Sequence, residues 1–542
     1  MNELQDAKSA AADLASAISS RDLPAASAAA GALAESAREA ERLTGDPVWG
    51  GVSALPWLGD DLAAAHTLAE AVAEVASEAV VPLSAAGDRL LEFGVRDGAV
   101  DLSSLSELEG VATHAAAAVR DARRSVDSID DEGLVGPLAE ATGELRSVLH
   151  EASPMLDTLE QASRLLPPML GADGPRTILA LFQNNAELRT GGGIVGAAGV
   201  LHVDDGRLTF EPVTATDVRP AAEPVLPLPA ADTTLYGPQL GRFIQNATAT
   251  PDFELSGRLA AEMWRQHRGE RIDAVVAIDP MVLAAVLRAT GPIAHADGEE
   301  LSASTVAERL MVDAYRRFST DDEQNAYFQS VASTMFDALT GDDVSVPDLL
   351  TALTDAAEEG RISVWSRHAD EQAIFADTTL GGPDARQRAL GDAGYAVYLN
   401  DRSGGKLGPY LDVSVEAVSI ADDGSAPRVE VVVSLQNRLT VGDVDALPSR
   451  VTNEGRFGIA PGVIAGNVSV YSPPGTLDGG VVRDDRPTGH QAVALDDGRL
   501  VQNVGIDLAP GERATLRFRF IPTDGAAAPS VQVTPGLVLG DR

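Results

Sequence analysis

The chain has 542 residues and a formal charge of −40, a length that suggests roughly three or four domains. So acidic a chain is poorly suited to nucleic acid or to anionic lipid heads, both of which are held by clustered Lys and Arg. The absence of cysteine excludes disulfide frameworks, thiol catalysis and Cys-ligated zinc, and an aromatic content of 4% means that the cores are built from Ala, Val and Leu.

No run approaches the roughly 18 apolar residues of a membrane helix, and there is no charged-then-apolar leader. Residues 1 to about 170 read as helix. Leu4, Ala7, Ala11, Leu14 and Ile18 fall on one stripe at helical spacing. The Pro- and Gly-broken connector "TGDPVWGGVSALPWLGDD" carries Trp49 and Trp57, read as plugs of a helix corner. Helices follow at about 60–95, 105–129 and 134–165. Alanine at their contact positions predicts close helix approach in an elongated bundle. "LLPPMLGADGPR" (165–176) predicts the end of that region, with Pro167 and Pro168 stopping the last helix.

Beyond it the pattern changes. "TILALFQ", "IVGAAGVLHV" and "RLTFEPVTATDV" read as strands, with Asp205-Gly206 as a hairpin turn. Helix 254–267, strand 272–279 and a series of further helices and strands lead to "YAVYLND". This alternation predicts a central α/β domain with a mixed sheet over 173–405. From about 409 onward short alternating strands predict an immunoglobulin-like β-sandwich over 409–542. The whole reads as a multidomain α+β chain: helical bundle 1–170, α/β domain 173–405, sandwich 409–542.

The stretch "FQNNAELRTGGGIVGAAGV" (182–200) contains G-x-G-x-x-G at Gly191, Gly193 and Gly196. A dinucleotide loop would lead from strand through glycines into a helix. Here the glycines lead into a strand, so that reading fails. "SGGKL" (403–407) likewise lacks P-loop spacing. What remains is a polar strand edge, with Asn184, Asn185, Glu187 and Arg189 ahead of Gly191, Gly192 and Gly193. Exposed glycine amides and a bidentate arginine suit an anion. The competing reading is a structural turn, with Asn side chains capping backbone and Arg189 paired to Glu187 or a neighbouring Asp.

"MLGADGPRTILALFQNNAELRTGGGIVG", with "TPDFELSGRLAAEMW", "IDAVVAIDPMVLAAVLRATGPI" and "VYLNDRSGGKLGPYL", resembles a bacterial, mainly actinobacterial, domain-of-unknown-function family numbered 4012. Its members read Arg-Pro-Thr-Gly-Gly-Phe where this chain has Arg189-Thr190-Gly191-Gly192-Gly193-Ile194. The resemblance implies an extracytoplasmic, cell-envelope protein anchored to the plasma membrane by a segment upstream of Met1. A more distant resemblance, in element order, is to the LytR–CpsA–Psr phosphotransferases, which move glycopolymers from polyprenyl diphosphate carriers. That resemblance implies catalytic roles for Arg189, Asp217, Arg219, Arg316 and Arg317 against a diphosphate, and Asp321 and Asp322 as magnesium ligands. "RRFSTDDE" also reads plainly as a helix end followed by the N-cap of the next helix.

Two functions from different classes follow. One is an envelope protein that binds or transfers an anionic or polyprenyl-diphosphate-linked glycan through the central domain. The other is a non-catalytic scaffold or adhesion protein acting through protein partners, which predicts no polar cleft at 184–193. A hydrolase using Asp273 and Asp279 is the weakest reading, because these lie at opposite ends of one strand, roughly 20 Å apart.

Overall fold

The computed structural model describes residues 10, 13, 16–17, 23–44, 59–92, 95–96, 99–131, 133–296, 298–341, 344–420, 428–523 and 528–536. The stripe from Leu4 to Ile18 and the tryptophans Trp49 and Trp57 lie outside them. The chain forms two compact units: residues 1–175 with 204–207, and residues 176–203 with 208–542.

The first unit is helical: α1 Leu23–Thr44, α2 Gly59–Val75, α3 Val81–Glu92, α4 Leu102–Asp127 and α5 Gly136–Met169. A π-turn at Ala76–Val80 joins α2 to α3. Ala69, Ala71 and Ala73 of α2 and Ala112, Ala115, Ala116 and Ala122 of α4 are all buried, so small side chains do form the helix contacts. Leu68, Val119 and Leu149 fill the space between them. Asp101 caps α4 by accepting from Ser103 N at 3.0 Å. One boundary differs from expectation. α5 runs through Pro167 and Pro168 to Met169, because proline's fixed φ is itself helical. The chain turns only at Gly171 (φ 85°) and Gly174 (φ 123°), where left-handed backbone needs glycine.

The second unit opens on a mixed sheet of β1 Arg176–Arg189, β2 Gly192–Asp204, β3 Arg207–Thr214, β4 Ala274–Ile278 and β5 Ile362–Ser366, in the order β3-β2-β1-β4-β5. β1 pairs antiparallel with β2, parallel with β4, and β4 antiparallel with β5. The β2–β3 turn places Asp205 (φ 47°) and Gly206 (φ 75°) in left-handed conformation, as the Asp-Gly signal predicts. Helix α6 Phe253–Arg268 starts at the Asp252 cap and stops at Gly269 (φ 75°). Leu179 and Leu181 of β1 pack with Leu259 and Trp264 of that helix. Phe182 alternates to the other face, toward α7 Pro280–Thr290 and α8 Asp321–Leu339.

The strand-rich region builds two five-stranded sheets. Its strands are β6 Gly394–Asp401, β7 Leu411–Ile420, β8 Arg428–Asn437, β9 Ile464–Tyr471, β10 Thr476–Arg483, β11 Arg486–Thr488, β12 Gln491–Ala494, β13 Leu500–Leu508, β14 Arg513–Pro522 and β15 Ser530–Val533. One sheet runs β12-β13-β9-β6-β15 and the other β7-β8-β14-β10-β11. Val397, Val468 and Ile506 of the first share a core with Val431, Val433 and Phe518 of the second. "YAVYLND", read in chain order as the end of the α/β region, pairs instead with β9 and β15. Gly394–Asn400 are all buried, so this strand needs neighbours on both edges and finds them only here.

The central sheet is stitched to the strand-rich region at the end of β1. Thr190 N donates to Asn400 Oδ1 at 3.2 Å, and Asn400 Nδ2 returns a bond to Thr190 Oγ1 at 2.9 Å. Gly408 lies so close that a Cβ there would stand 2.3 Å from the Asn185 carbonyl oxygen. Gly408→Ala is therefore expected to lower the unfolding free energy by about 1–3 kcal/mol. In Gly442→Ala the added methyl would meet only Thr440 Oγ1, at 3.7 Å, and the change should stay within about 0.5 kcal/mol. Urea denaturation of both variants checks the contrast.

Candidate functional site

The polar segment 184–193 is shaped by two irregularities in the β1–β2 ladder. Gly196 is an extra residue on β2 between the pairs Phe182↔Ala197 and Gln183↔Val195. Asn185, Ala186 and Glu187 are extra on β1, between Asn184↔Ile194 and Leu188↔Gly193. Bulges of this kind re-aim side chains and often stand beside functional sites. The glycines answer to crowding. A Cβ on Gly193 would lie 2.3 Å from the Asn184 carbonyl, and one on Gly192 2.6 Å from Gln183 Oε1. Gly191 N donates to Thr248 O at 3.0 Å and Gly193 N to Gln183 Oε1 at 3.1 Å. Each amide has one donor, so neither of these two is left to offer an anion.

The polar side chains are likewise engaged. Arg189 donates to Leu188 O (2.8 Å), Asp401 O (3.2 Å) and Asn246 Oδ1 (3.3 Å). Burial lowers its pKa while the Asp401 carboxylate opposes the shift. Burial raises Asp401 in turn, against Arg189 and its bond from Ser403. Glu187 is buried and paired with Lys406, not with Arg189. Burial pushes Lys406 down to about 8, with Arg456 and Arg450 adding to the push; the Glu187 carboxylate pulls the other way. Asn184 donates to the Tyr315 hydroxyl and accepts from Ala186 N at 3.0 Å. Asn185 is fully buried and donates to Asp279 Oδ2 at 3.0 Å and Pro535 O at 3.2 Å.

Sequence reasoning had not ranked Asp279 and Arg361 as partners of this segment. Asp279 caps α7 through Met281 N (2.9 Å) and also meets Arg361 Nη1 at 2.8 Å. Burial works against the charge of Arg361, but Asp279 and Glu359 outweigh it and raise its pKa. The Asp-Pro pair at 279–280 was the available signal, since it marks a cap on a helix start. Asp273, at the far end of β4, accepts from Thr177 N, so the two aspartates serve separate structural roles.

The other predicted residues do not gather around Arg189. Asp217 and Arg219 are exposed on and just after the 3-10 turn Ala215–Asp217. Arg316 reaches the Tyr410 hydroxyl at 3.4 Å, and Arg317 pairs with Glu299 at 3.3 Å and lies over Phe318. Asp321 and Asp322 are exposed in the first turn of α8, whose capping box is Thr320 with Glu323. They do not fit a magnesium site: Asp321 faces Arg450 at 3.7 Å, and among the described residues no group of three or more metal-binding side chains is assembled.

The feature with room for a ligand lies beside the bulges. A cavity of about 670 Å³, counting the space open at its mouth, is walled by Phe182, Val213, Ile278, Leu283, Leu310, Met311, Phe328 and Val331. Gly196, Ala197, Ala198 and Ala332 leave it unfilled, and Gln183, Asn184, Asp279 and Gln329 supply the polar groups. A size within about 300–1,000 Å³ and an apolar lining with few polar points are usual for small-molecule sites. Leu310 and Met311 belong to a π-turn, Arg309–Asp313, a helix irregularity frequent at functional sites.

The family described as "Protein of unknown function (DUF4012)" matches residues 173–315. That segment supplies the strand wall of the cavity, the start of α7 and the π-turn. No curated protein matches. Solved structures that resemble the chain include the transcriptional regulator yvhJ from Bacillus subtilis, at 11% identity and a TM-score of 0.23, covering 37% of this chain and 76% of that one. Another is protein gbs0355 from Streptococcus agalactiae, at 13% identity and a TM-score of 0.25, covering 39% and 74%. A third is B. subtilis TagV, a LytR–CpsA–Psr family member, at 14% identity and a TM-score of 0.23, covering 38% and 81%. Overlaps at such scores superpose no site.

Arg189→Ala would strip donors from two backbone carbonyls and Asn246. Hydrogen bonds from charged groups of this kind make the expected loss of stability about 2–3 kcal/mol. A loss below about 0.5 kcal/mol in denaturant titration would mean that the guanidinium is spare and free for a ligand.

Proposed function

We propose that this chain is an extracytoplasmic cell-envelope protein that binds a lipid-linked anionic glycan through its central region. The observation that carries the reading is the apolar cavity between β1–β4, α7, the π-turn and α8. An apolar chain released from water into such a slot gains about 25 cal/mol per Å² buried, and the polar points at Asn184 and Asp279 would orient whatever follows it. The resemblance of "ILALFQNNAELRTGGGIVG" to an envelope-associated family supports the location, with the membrane anchor lying upstream of this chain. Among the described residues no helix is long and apolar enough to cross a membrane. The two facing sheets support an immunoglobulin-like reading of the strand-rich region.

Binding is favoured here over transfer. Arg189, Arg316 and Arg317 each serve a different neighbour, and a diphosphate cleaved in line needs its cations at one point. A second reading, a non-catalytic scaffold working through protein partners, is favoured by one observation: the segment 184–193 is closed on itself rather than forming a polar cleft.

The discriminating experiment is native mass spectrometry of the full chain with undecaprenyl phosphate, beside an Ala332→Phe variant that fills the cavity from α8. Binding by the parent and at least tenfold weaker binding by the variant is the expected result. No binding by the parent, or equal binding by both, would remove the lipid reading and leave the scaffold.

A further inference from the structure

The loop 449–458, between β8 and β9, is the most strained segment among the described residues. Asn453 (φ 77°), Glu454 (φ 57°), Gly455 (φ 73°), Phe457 (φ 57°) and Gly458 (φ 74°) all lie in the left-handed region. Three of these carry side chains, and an aromatic residue there is an outlier. The conformation is held from within. Asn453 is buried and its Oδ1 accepts from Gly455 N at 2.7 Å. Phe457 lies against Gly404, where a Cβ would stand 2.6 Å from the ring. The result of this strain is an aromatic ring 79% exposed to solvent. Strain that yields nothing for packing is characteristic of functional segments.

Cations converge on the same loop, in a chain with 41 basic against 81 acidic residues. Arg456 adjoins the ring and is 62% exposed, its partner being Glu454 two residues away. Arg450 gives one nitrogen to Ser319 O. Its Nη1 is buried without a hydrogen bond, and the Asp321 carboxylate 3.7 Å away is itself 89% exposed. Lys406, bound by its backbone to Val451 O at 2.9 Å, lies 5.4 Å from the Tyr315 ring centre. Tyr315 bonds Asn184 and packs edge-on to Phe328, and both of those line the cavity. The cation cluster is therefore one aromatic layer away from the proposed lipid slot.

We propose that Phe457, Arg456 and Arg450, backed by Lys406, form a binding site for an anionic saccharide. The face of an exposed ring matches the C–H face of a pyranose, while guanidinium groups pair with its carboxylates or phosphates. The site deepens the glycan reading above by naming where the charged sugar is held, and it rests on residues outside the cavity.

The test is isothermal titration of the full chain, at low salt, with a galacturonate hexamer, maltohexaose and inorganic phosphate. The hexamer binds; maltohexaose, lacking charge, and phosphate, lacking a sugar face, bind at least tenfold more weakly. Phe457→Ala and Arg456→Gln each weaken hexamer binding at least tenfold with the melting temperature unchanged, and Phe457→Tyr keeps it. Hexamer binding that is absent in the parent, equal to maltohexaose, or unaltered in both weakening variants overturns the proposal. Undecaprenyl phosphate binding is read separately. If it persists while hexamer binding fails, the loop site falls and the cavity stands; the reverse outcome retains the loop as a saccharide site without the lipid.

Discussion

The second unit depends on three residues forced out of a strand. Asn185, Ala186 and Glu187 have no partners on β2, because Asn184 and Leu188 meet consecutive residues there. Their polar groups must be satisfied away from the ladder, since a buried donor or carboxylate without a partner costs more than a bond returns. Lys406 answers Glu187, Pro535 and Asp279 answer Asn185, and Gly408 makes room for the extruded backbone. All but Asp279 come from beyond β6. The strand-rich region is thus packed onto the bulge rather than tethered to it, and the cavity wall at Asn184 is fixed by the same arrangement.

Much of the framework could be read from local pattern. Asp205-Gly206 specifies its turn because only a left-handed pair closes that hairpin with the right twist. Asp252 and Gly269 bound α6 because caps are local chemistry. What could not be read is whatever crosses the chain. Lys406 and Glu187 are 219 residues apart, and nothing near either announces the other. The strand 394–401 follows the central helices in sequence, so it was assigned with them, yet its parallel partner is Ser530–Val533 near the opposite end of the chain. Burial on both faces explains the choice, but burial is a property of the fold.

The glycine-rich stretch shows the same division. Its G-x-G-x-x-G spacing has the form of a phosphate loop, yet glycine serves there for two separable reasons, exposed amides and close approach. Here only the second applies. Gly193 admits the Asn184 carbonyl, Gly192 admits Gln183, and Gly196 is the extra residue that opens β2 beside the cavity. The spacing could identify a crowded turn; it could not say whether a ligand or the protein's own backbone does the crowding.

The same economy bears on chemistry. A group-transfer site needs cations and an acid or base converging within bonding distance of one reacting atom. The arginines singled out in the central region are instead distributed among Asp401 and Leu188 carbonyls, Tyr410 and Glu299. A recognition site has weaker demands: an apolar slot for one part of a ligand and a few cations for another, each free to act at its own place. The cavity beside Asn184 and the strained loop carrying Phe457 and Arg456 meet those demands on either side of Tyr315. Two such surfaces joined by one aromatic wall suit an amphiphile, whose apolar and charged ends must be held apart, better than a small substrate that must be held at a point.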